Sequence, residues 1–127
     1  MQYRTNPRTQ QQLSILGYGC LRFSKKGAAI NQAKAEKEMR FAIKHGVNYF
    51  DTAYSYPGSE VCLGRFLAKG YRDKVNIATK LPHYYLKQKG DIERYFQEQL
   101  RRLKTDHVEY YLMHMLNDPA TWQRLRN

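Results

Sequence analysis

Cysteine is scarce. Cys20 and Cys62 are the only two among 127 residues, they lie far apart, and they form neither a CxxC pair nor a Cys/His zinc spacing. That argues against a zinc module and against a disulfide scaffold, and leaves two reduced, buried thiols as the expectation. Long apolar runs are missing as well. No stretch approaches the length of a membrane span, and the opening MQYRTNPRTQ is polar, without a signal-peptide core. The expectation is a soluble, cytoplasmic chain with no membrane partner. Acidic residues are few, 11 Asp and Glu against 22 Lys and Arg, for a net charge of +11. Such a balance suits nucleic acid, an anionic membrane or a phosphorylated cofactor. Yet the basic residues are dispersed, the densest clusters being Lys25-Lys26 and Arg101-Arg102-Lys104, and no aromatic residues interleave with them as in RNA-binding motifs. A solvated surface charge with no nucleic-acid partner is the first reading. The second is a longer protein whose acidic residues lie elsewhere. Also lacking are GxGxxG and GxxxxGK[ST], the phosphate-binding fingerprints of doubly wound folds.

What is present is enough for one domain with a core, since 42% of the residues are hydrophobic. The segment QYRTNPRTQQQL predicts a small hairpin around Asn6-Pro7, and SILGYGC, residues 14–20, a strand ending in a tight turn. In NQAKAEKEMRFAIKHG, Ala35, Met39, Ala42 and Ile43 recur at helical spacing, with Asn31 as N-cap and Gly46 as stop. VNYFDTA follows as a buried strand. SEVCLGRFLAKG follows as a helix capped by Ser59, with Leu63, Phe66 and Leu67 on its apolar face and Gly70 as its stop. VNIATK is a strand rich in β-branched residues. DIERYFQEQLRRLK is a helix with Ile92, Phe96, Leu100 and Leu103 on one side. HVEYYLMH is a strand again, and NDPATWQRLRN opens a further helix.

Strand and helix thus alternate, which predicts an α/β fold with parallel strands and right-handed crossovers. The strands close on Asp51, Lys80 and His114, 29 and then 34 positions apart, about one βαβ unit each. A closed (β/α)8 barrel takes about 250 residues, and the strands here suffice for half of one. Four parallel strands alone leave two open edges and one bare face. The chain is therefore read as a piece of a barrel, as a half-barrel that pairs with another copy, or as a sheet that folds differently.

Each strand-end residue has an ordinary explanation. Asp51 caps a turn, Tyr56 is one of 11 tyrosines, Lys80 reaches solvent, and His114 is a satisfied core histidine. Parallel strands, however, would bring Asp51, Lys80 and His114 to one face, where barrel enzymes place their active sites, with Tyr56 in the loop just beyond. A tyrosine is a poor acid at neutral pH unless a neighbouring cation favours its phenolate. A lysine held by an aspartate supplies that cation, and a histidine can orient a carbonyl oxygen by hydrogen bonding. The four together fit proton delivery to a carbonyl oxygen as charge develops on it.

These residues carry a resemblance. FDTAYSY, with Tyr56 five after Asp51, GSE at Gly58 to Glu60, ATKLP around Lys80 and YYLMH ending at His114 resemble the aldo-keto reductases in order and spacing, as does the LGYGC turn. The resemblance implies the N-terminal half of a (β/α)8 TIM barrel, four parallel strands alternating with helices after a short β-hairpin. Residues 1–127 would form a partial barrel domain whose C-terminal half is absent from this chain. It implies NADPH, or NADH, as cofactor and a small aldehyde or ketone as substrate. By the same resemblance Tyr56 is the general acid, Lys80 favours its phenolate, Asp51 pairs with Lys80 and His114 orients the carbonyl. Gly19, Cys20 and Leu21, with Asp51, lie against the cofactor. Pro57 replaces the Gly that often follows the family tyrosine, Tyr54 puts a second phenol close by, and Met115 and Leu116 replace a common Trp-Pro. The wording around NIATKLP and YYLMHMLND is similar to a branch with a C-terminal ferredoxin-like iron-sulfur domain, although no cluster ligands occur here. Since most adenosine-phosphate contacts in the family lie on later strands, this polypeptide alone is expected to bind NADPH weakly and to be inactive. The competing reading is a non-catalytic half-barrel that acts by self-association, for instance as a homodimer.

Overall fold

Asn6 turns the chain back on itself. Its Oδ1 accepts the backbone N–H of Arg8 at 3.0 Å and of Thr9 at 3.4 Å, an Asx turn. The flanking residues Tyr3–Thr5 (β1) and Gln12–Ser14 (β2) pair antiparallel, Tyr3 opposite Ser14. This computed structural model describes residues 1–126. The strand expected over residues 14–20 is divided. Ser14 stays in the hairpin, where its backbone N–H donates to Asn48 Oδ1 at 2.8 Å and its hydroxyl to the Leu16 carbonyl at 2.7 Å. The chain then bends at Gly17, where a Cβ would stand 3.1 Å from the Tyr49 ring, and Tyr18–Gly19 (β3) enters a second sheet.

That sheet has four parallel strands in chain order: β3, then Tyr49–Asp51, Asn76–Leu81 and Tyr110–Met113. Between β3 and the first helix lies a second hairpin, Lys25–Lys26 (β4) with Ala29–Ile30 (β5), turned by Gly27 at φ +64°. The sequence reading passed over it, although a two-residue glycine turn was there to be seen. The other strands are accordingly Tyr49–Asp51 (β6), Asn76–Leu81 (β7) and Tyr110–Met113 (β8), and the order is β3-β6-β7-β8. Gly19 lies beside Asp51, Asp51 beside Ala78, and Lys80 beside Leu112.

Helices Gln32–Lys44 (α1), Ser59–Leu67 (α2) and Gly90–Leu103 (α3) connect these strands. Asn31 caps α1 as expected, its side chain accepting the Lys34 N–H at 3.1 Å. The cap of α2 differs. Gly58, at φ +73°, holds the N-cap position, and Ser59 begins the helix. The Ser59 hydroxyl is turned inward, donating to the Cys20 carbonyl and bonding Thr52 Oγ1, both at 2.8 Å. Tertiary hydrogen bonds therefore claim the oxygen that a local cap would have used. Met39, Phe50, Leu63, Phe66, Leu67, Ile77 and Leu103 form the core between the sheet and its helices. Both cysteines are buried and free.

Leu100 and Leu103 on α3 are buried, but Ile92 is 45% exposed. It sits in the first turn of α3, in a shallow crevice shared with Leu86 and Leu125. The last helix, Pro119–Arg126 (α4), is capped by Asp118, whose Oδ1 accepts the Thr121 N–H at 2.7 Å. Strands β3 and β8 are the two edges of the sheet. Ile15, Leu16 and Leu21 are exposed beside the first, and Leu112, Met115 and Leu116 beside the second. Among the described residues no helix is long and apolar enough to cross a membrane.

Candidate active site

Side chains alternate along a strand, so Phe50 and Ile77 point to the helices while Asp51 and Lys80 point to the opposite face of the sheet. Asp51 ends β6, Lys80 is next to last in β7, and His114 follows β8, its backbone N–H donating to the Leu81 carbonyl at 3.1 Å. Tyr56 lies in the loop between β6 and α2. The four residues meet at the carboxyl ends of adjacent strands.

Lys80 Nζ donates to Asp51 Oδ1 at 2.8 Å, to Asp51 Oδ2 at 2.7 Å and to the Thr52 carbonyl at 2.7 Å. Its charge stands 5.0 Å from the centroid of the Tyr56 ring, a cation–π distance. The His114 ring also meets Tyr56, edge to face, with centroids 5.7 Å apart and planes at 82°. Tyr54, the competing phenol, packs elsewhere. Its ring is 4.9 Å from that of Tyr95 and lies 4.2 Å beneath the Arg102 guanidinium on the α3 side. Of the two tyrosines, Tyr56 is the one beside Lys80.

Burial is the first cause that holds the His114 imidazole below its ordinary pKa of 6.5. The Lys80 ammonium adds to it and His83 slightly more, while the Asp51 carboxylate opposes them. His114 is accordingly neutral at pH 7, with a single ring N–H.

Behind the sheet a polar network fixes the backbone of Lys80. Glu60, 2% exposed, accepts from Thr79 Oγ1 at 2.7 Å and from Gln99 Nε2 at 2.8 Å. Gln99 Nε2 also reaches the Lys80 carbonyl at 3.1 Å, and Gln99 Oε1 accepts the Tyr111 hydroxyl at 2.7 Å. Arg102 Nη1 closes on Glu60 at 3.4 Å. A buried carboxylate is tolerable only with such partners.

The loop after β3 is tied to the same place. The Cys20 N–H donates to the Asp51 carbonyl at 2.8 Å. Its thiol faces the core, where burial pushes its pKa far up, so only the backbone of Cys20 can meet a ligand. Leu21 is exposed, and nothing stands within 4 Å of where a Gly19 Cβ would be. Three residues escaped the sequence reading. Ser55 Oγ and Tyr84 OH each lie 3.2 Å from His114 Nδ1. His83 is buried with no hydrogen-bond partner at either ring nitrogen among the described residues. Ser55 and Tyr84 come from loops, where no periodicity marks them, and the run HYY at 83–85 was the one available signal.

Four parallel strands in chain order, carrying a lysine–aspartate pair, a tyrosine and a histidine at their carboxyl ends, make this part of a (β/α)8 barrel, with the cluster on the face where such barrels hold active sites. The sequence agrees: residues 15–122 match the Aldo/keto reductase family, and the chain belongs to that family. It is 30% identical to Protein tas of Escherichia coli, over 94% of this chain and 40% of that protein. It is 29% identical to the uncharacterized oxidoreductase YrpG of Bacillus subtilis, over 98% and 43%. A Pseudomonas aeruginosa structure assigned to the aldo-keto reductases superposes with a TM-score of 0.79 at 26% identity, over 93% of this chain and 49% of that one. An aldo-keto reductase solved with NADPH superposes at 0.68 and 27% identity, over 87% and 35%. The chain thus spans less than half the length of these relatives.

Proposed function

We propose that this chain carries the proton-delivery site of an NAD(P)H-dependent reductase of aldehydes or ketones. The observation that carries the reading is the Tyr56 ring standing 5.0 Å from the Asp51-bound ammonium of Lys80 and meeting the His114 imidazole edge to face. In this reading His114 gives its N–H to the substrate carbonyl oxygen and holds it beside Tyr56. Tyr56 passes its proton to that oxygen as negative charge grows there. Lys80 stabilises the charge left on the phenol oxygen, and Asp51 together with the Thr52 carbonyl keeps Lys80 from swinging away.

The residues present suit the nicotinamide end of the cofactor. Gly19 leaves open space beside Asp51, and the Cys20 backbone and Leu21 border it. When bound, NADPH would supply the hydride for the carbonyl carbon. The residues that would grip its adenosine phosphates belong to the part of the relatives' fold that this chain does not span. Turnover is assigned to the assembled barrel, and the 127 residues alone are read as inactive.

The test is a chimera in which residues 1–126 replace the matching part of the Pseudomonas relative. Wild type should oxidise NADPH with some member of an aldehyde panel. Tyr56→Phe should cut that rate by about 10²–10⁴-fold with NADPH affinity unchanged. Undiminished turnover in the variant would remove Tyr56 from the mechanism.

The second reading, a half-barrel that works by association, draws on the apolar side chains along both open sheet edges. A monomer by sedimentation at micromolar concentration counts against it.

A further inference from the structure

The hydrogen bonding of His114 is one-sided. Both hydroxyls that reach it, Ser55 Oγ and Tyr84 OH, meet Nδ1 at 3.2 Å, and none of the described residues bonds Nε2. The two hydroxyls come from different elements. Ser55 immediately precedes Tyr56, and Tyr84 lies in the 3-10 turn His83–Tyr85 that follows β7. Tyr84 is 42% exposed, with its ring 5.4 Å from that of His83, 4.7 Å from that of Tyr85 and 6.0 Å from that of His114.

A neutral imidazole has one N–H and one lone pair, and the partner of one nitrogen decides what the other presents. A proton on Nδ1 would serve only one of the two hydroxyl oxygens well, and a phenol oxygen is a poor acceptor because its lone pair is delocalised into the ring. A lone pair on Nδ1 can accept from either hydroxyl, and a phenol O–H is the better donor of the two. We propose that Ser55 and Tyr84 are positioning residues that hold His114 in the Nε2–H tautomer, aiming its only N–H away from them toward the open side of the cluster. The inference rests on reading His114 as the group that orients the substrate carbonyl. In the opposite tautomer Nε2 would present a lone pair and repel a carbonyl oxygen. Around His114, the titratable groups are Asp51 on β6, Tyr56 in the next loop, Lys80 on β7, and His83 and Tyr84 in the turn after it.

The test needs neither cofactor nor turnover. Long-range ¹⁵N–¹H spectra of the histidine rings would be recorded on the 127-residue chain at pH 8, with His114→Gln used for assignment. Imidazole in water already leans toward Nε2–H, so the informative quantity is the change on mutation. In wild type Nδ1 should resonate as a bare nitrogen, with the other tautomer undetectable. In Ser55→Ala/Tyr84→Phe both nitrogens should move toward averaged positions as the minor form appears, and Ser55→Thr should keep the wild-type pattern. Backbone amide spectra report whether each variant is folded. If the double variant is not, the two single variants carry the test, each with a smaller shift in the same direction. A protonated Nδ1 in wild type overturns the proposal, and so does a double variant, or both singles, with an unchanged pattern. Because the readout is the ring itself, a chimera without reductase activity would sink the functional reading and leave the tautomer result standing.

Discussion

Lys80 Nζ lies 2.7 to 2.8 Å from both oxygens of the Asp51 carboxylate and 2.7 Å from the Thr52 carbonyl. The lysine side chain is 13% exposed and the aspartate 32%. Each member therefore depends on the other for most of its lost hydration. Asp51→Asn should destabilise the chain by about 1.5–3 kcal/mol, the range for a hydrogen bond to a charged group. Urea unfolding measures it, and a double-mutant cycle with Lys80→Met should show the two changes to be non-additive.

The His114 imidazole should titrate below 6.5, since burial, and then Lys80, disfavour its charged form. An unfolded chain would take up that proton first. Stability from this residue is therefore fully present above about pH 6.5 and declines as the pH falls from there toward the folded-state midpoint. Ring chemical shifts followed against pH give the midpoint. In Lys80→Met it should rise, because a repelling cation is gone and the Asp51 charge stands unopposed.

Glu98 is pulled from its ordinary 4.5 to about 2, chiefly by hydrogen bonds from Arg101 and then Arg102. A depressed carboxylate contributes stability above its unfolded pKa and loses it on acidification. The loss should run from about pH 4.5 to 2 and be modest, because Arg101 is well exposed. Acid titration of Glu98→Gln should be flatter over that window than wild type.

Helices α2 and α3 touch at Gly64. A Cβ there would run into the backbone of Arg102 and Leu103, which has no flexible tip to move aside. Gly64→Ala should cost about 1–3 kcal/mol as overpacking, even though alanine is the better helix former by about 1 kcal/mol. A Gly64→Ala chain as stable as wild type in urea would mean that the helices part at little cost.

NADPH should not bind the 127-residue chain at micromolar concentration. A fluorescence titration reads this directly, and saturation in that range would place the adenosine-phosphate contacts within these residues.

Asp51, Lys80 and His114 were legible because each lies at or next to the end of an apolar strand and about one βαβ unit separates them. Met39, Leu63, Phe66 and Leu103 were legible from helical periodicity. The rest was decided between elements. Ser59 reads as a cap until Cys20 and Thr52 are seen to compete for its hydroxyl. Ile92 reads as core until the first turn of α3 proves to face a crevice. Residues 14–20 read as one strand although Asn48 draws Ser14 into the hairpin. Ser55 and Tyr84, the partners of His114, had only loop positions to recommend them.

The sheet's strand order equals its chain order, so every strand pairs with the one that precedes it in that sheet. During synthesis, which delivers the N-terminus first, each arriving strand of this sheet after β3 meets a neighbour already made. Asp51, Tyr56 and Lys80 are in place once β7 has docked. His114 completes the constellation with β8, so the ion pair and the phenol beside it form early and the imidazole is installed last.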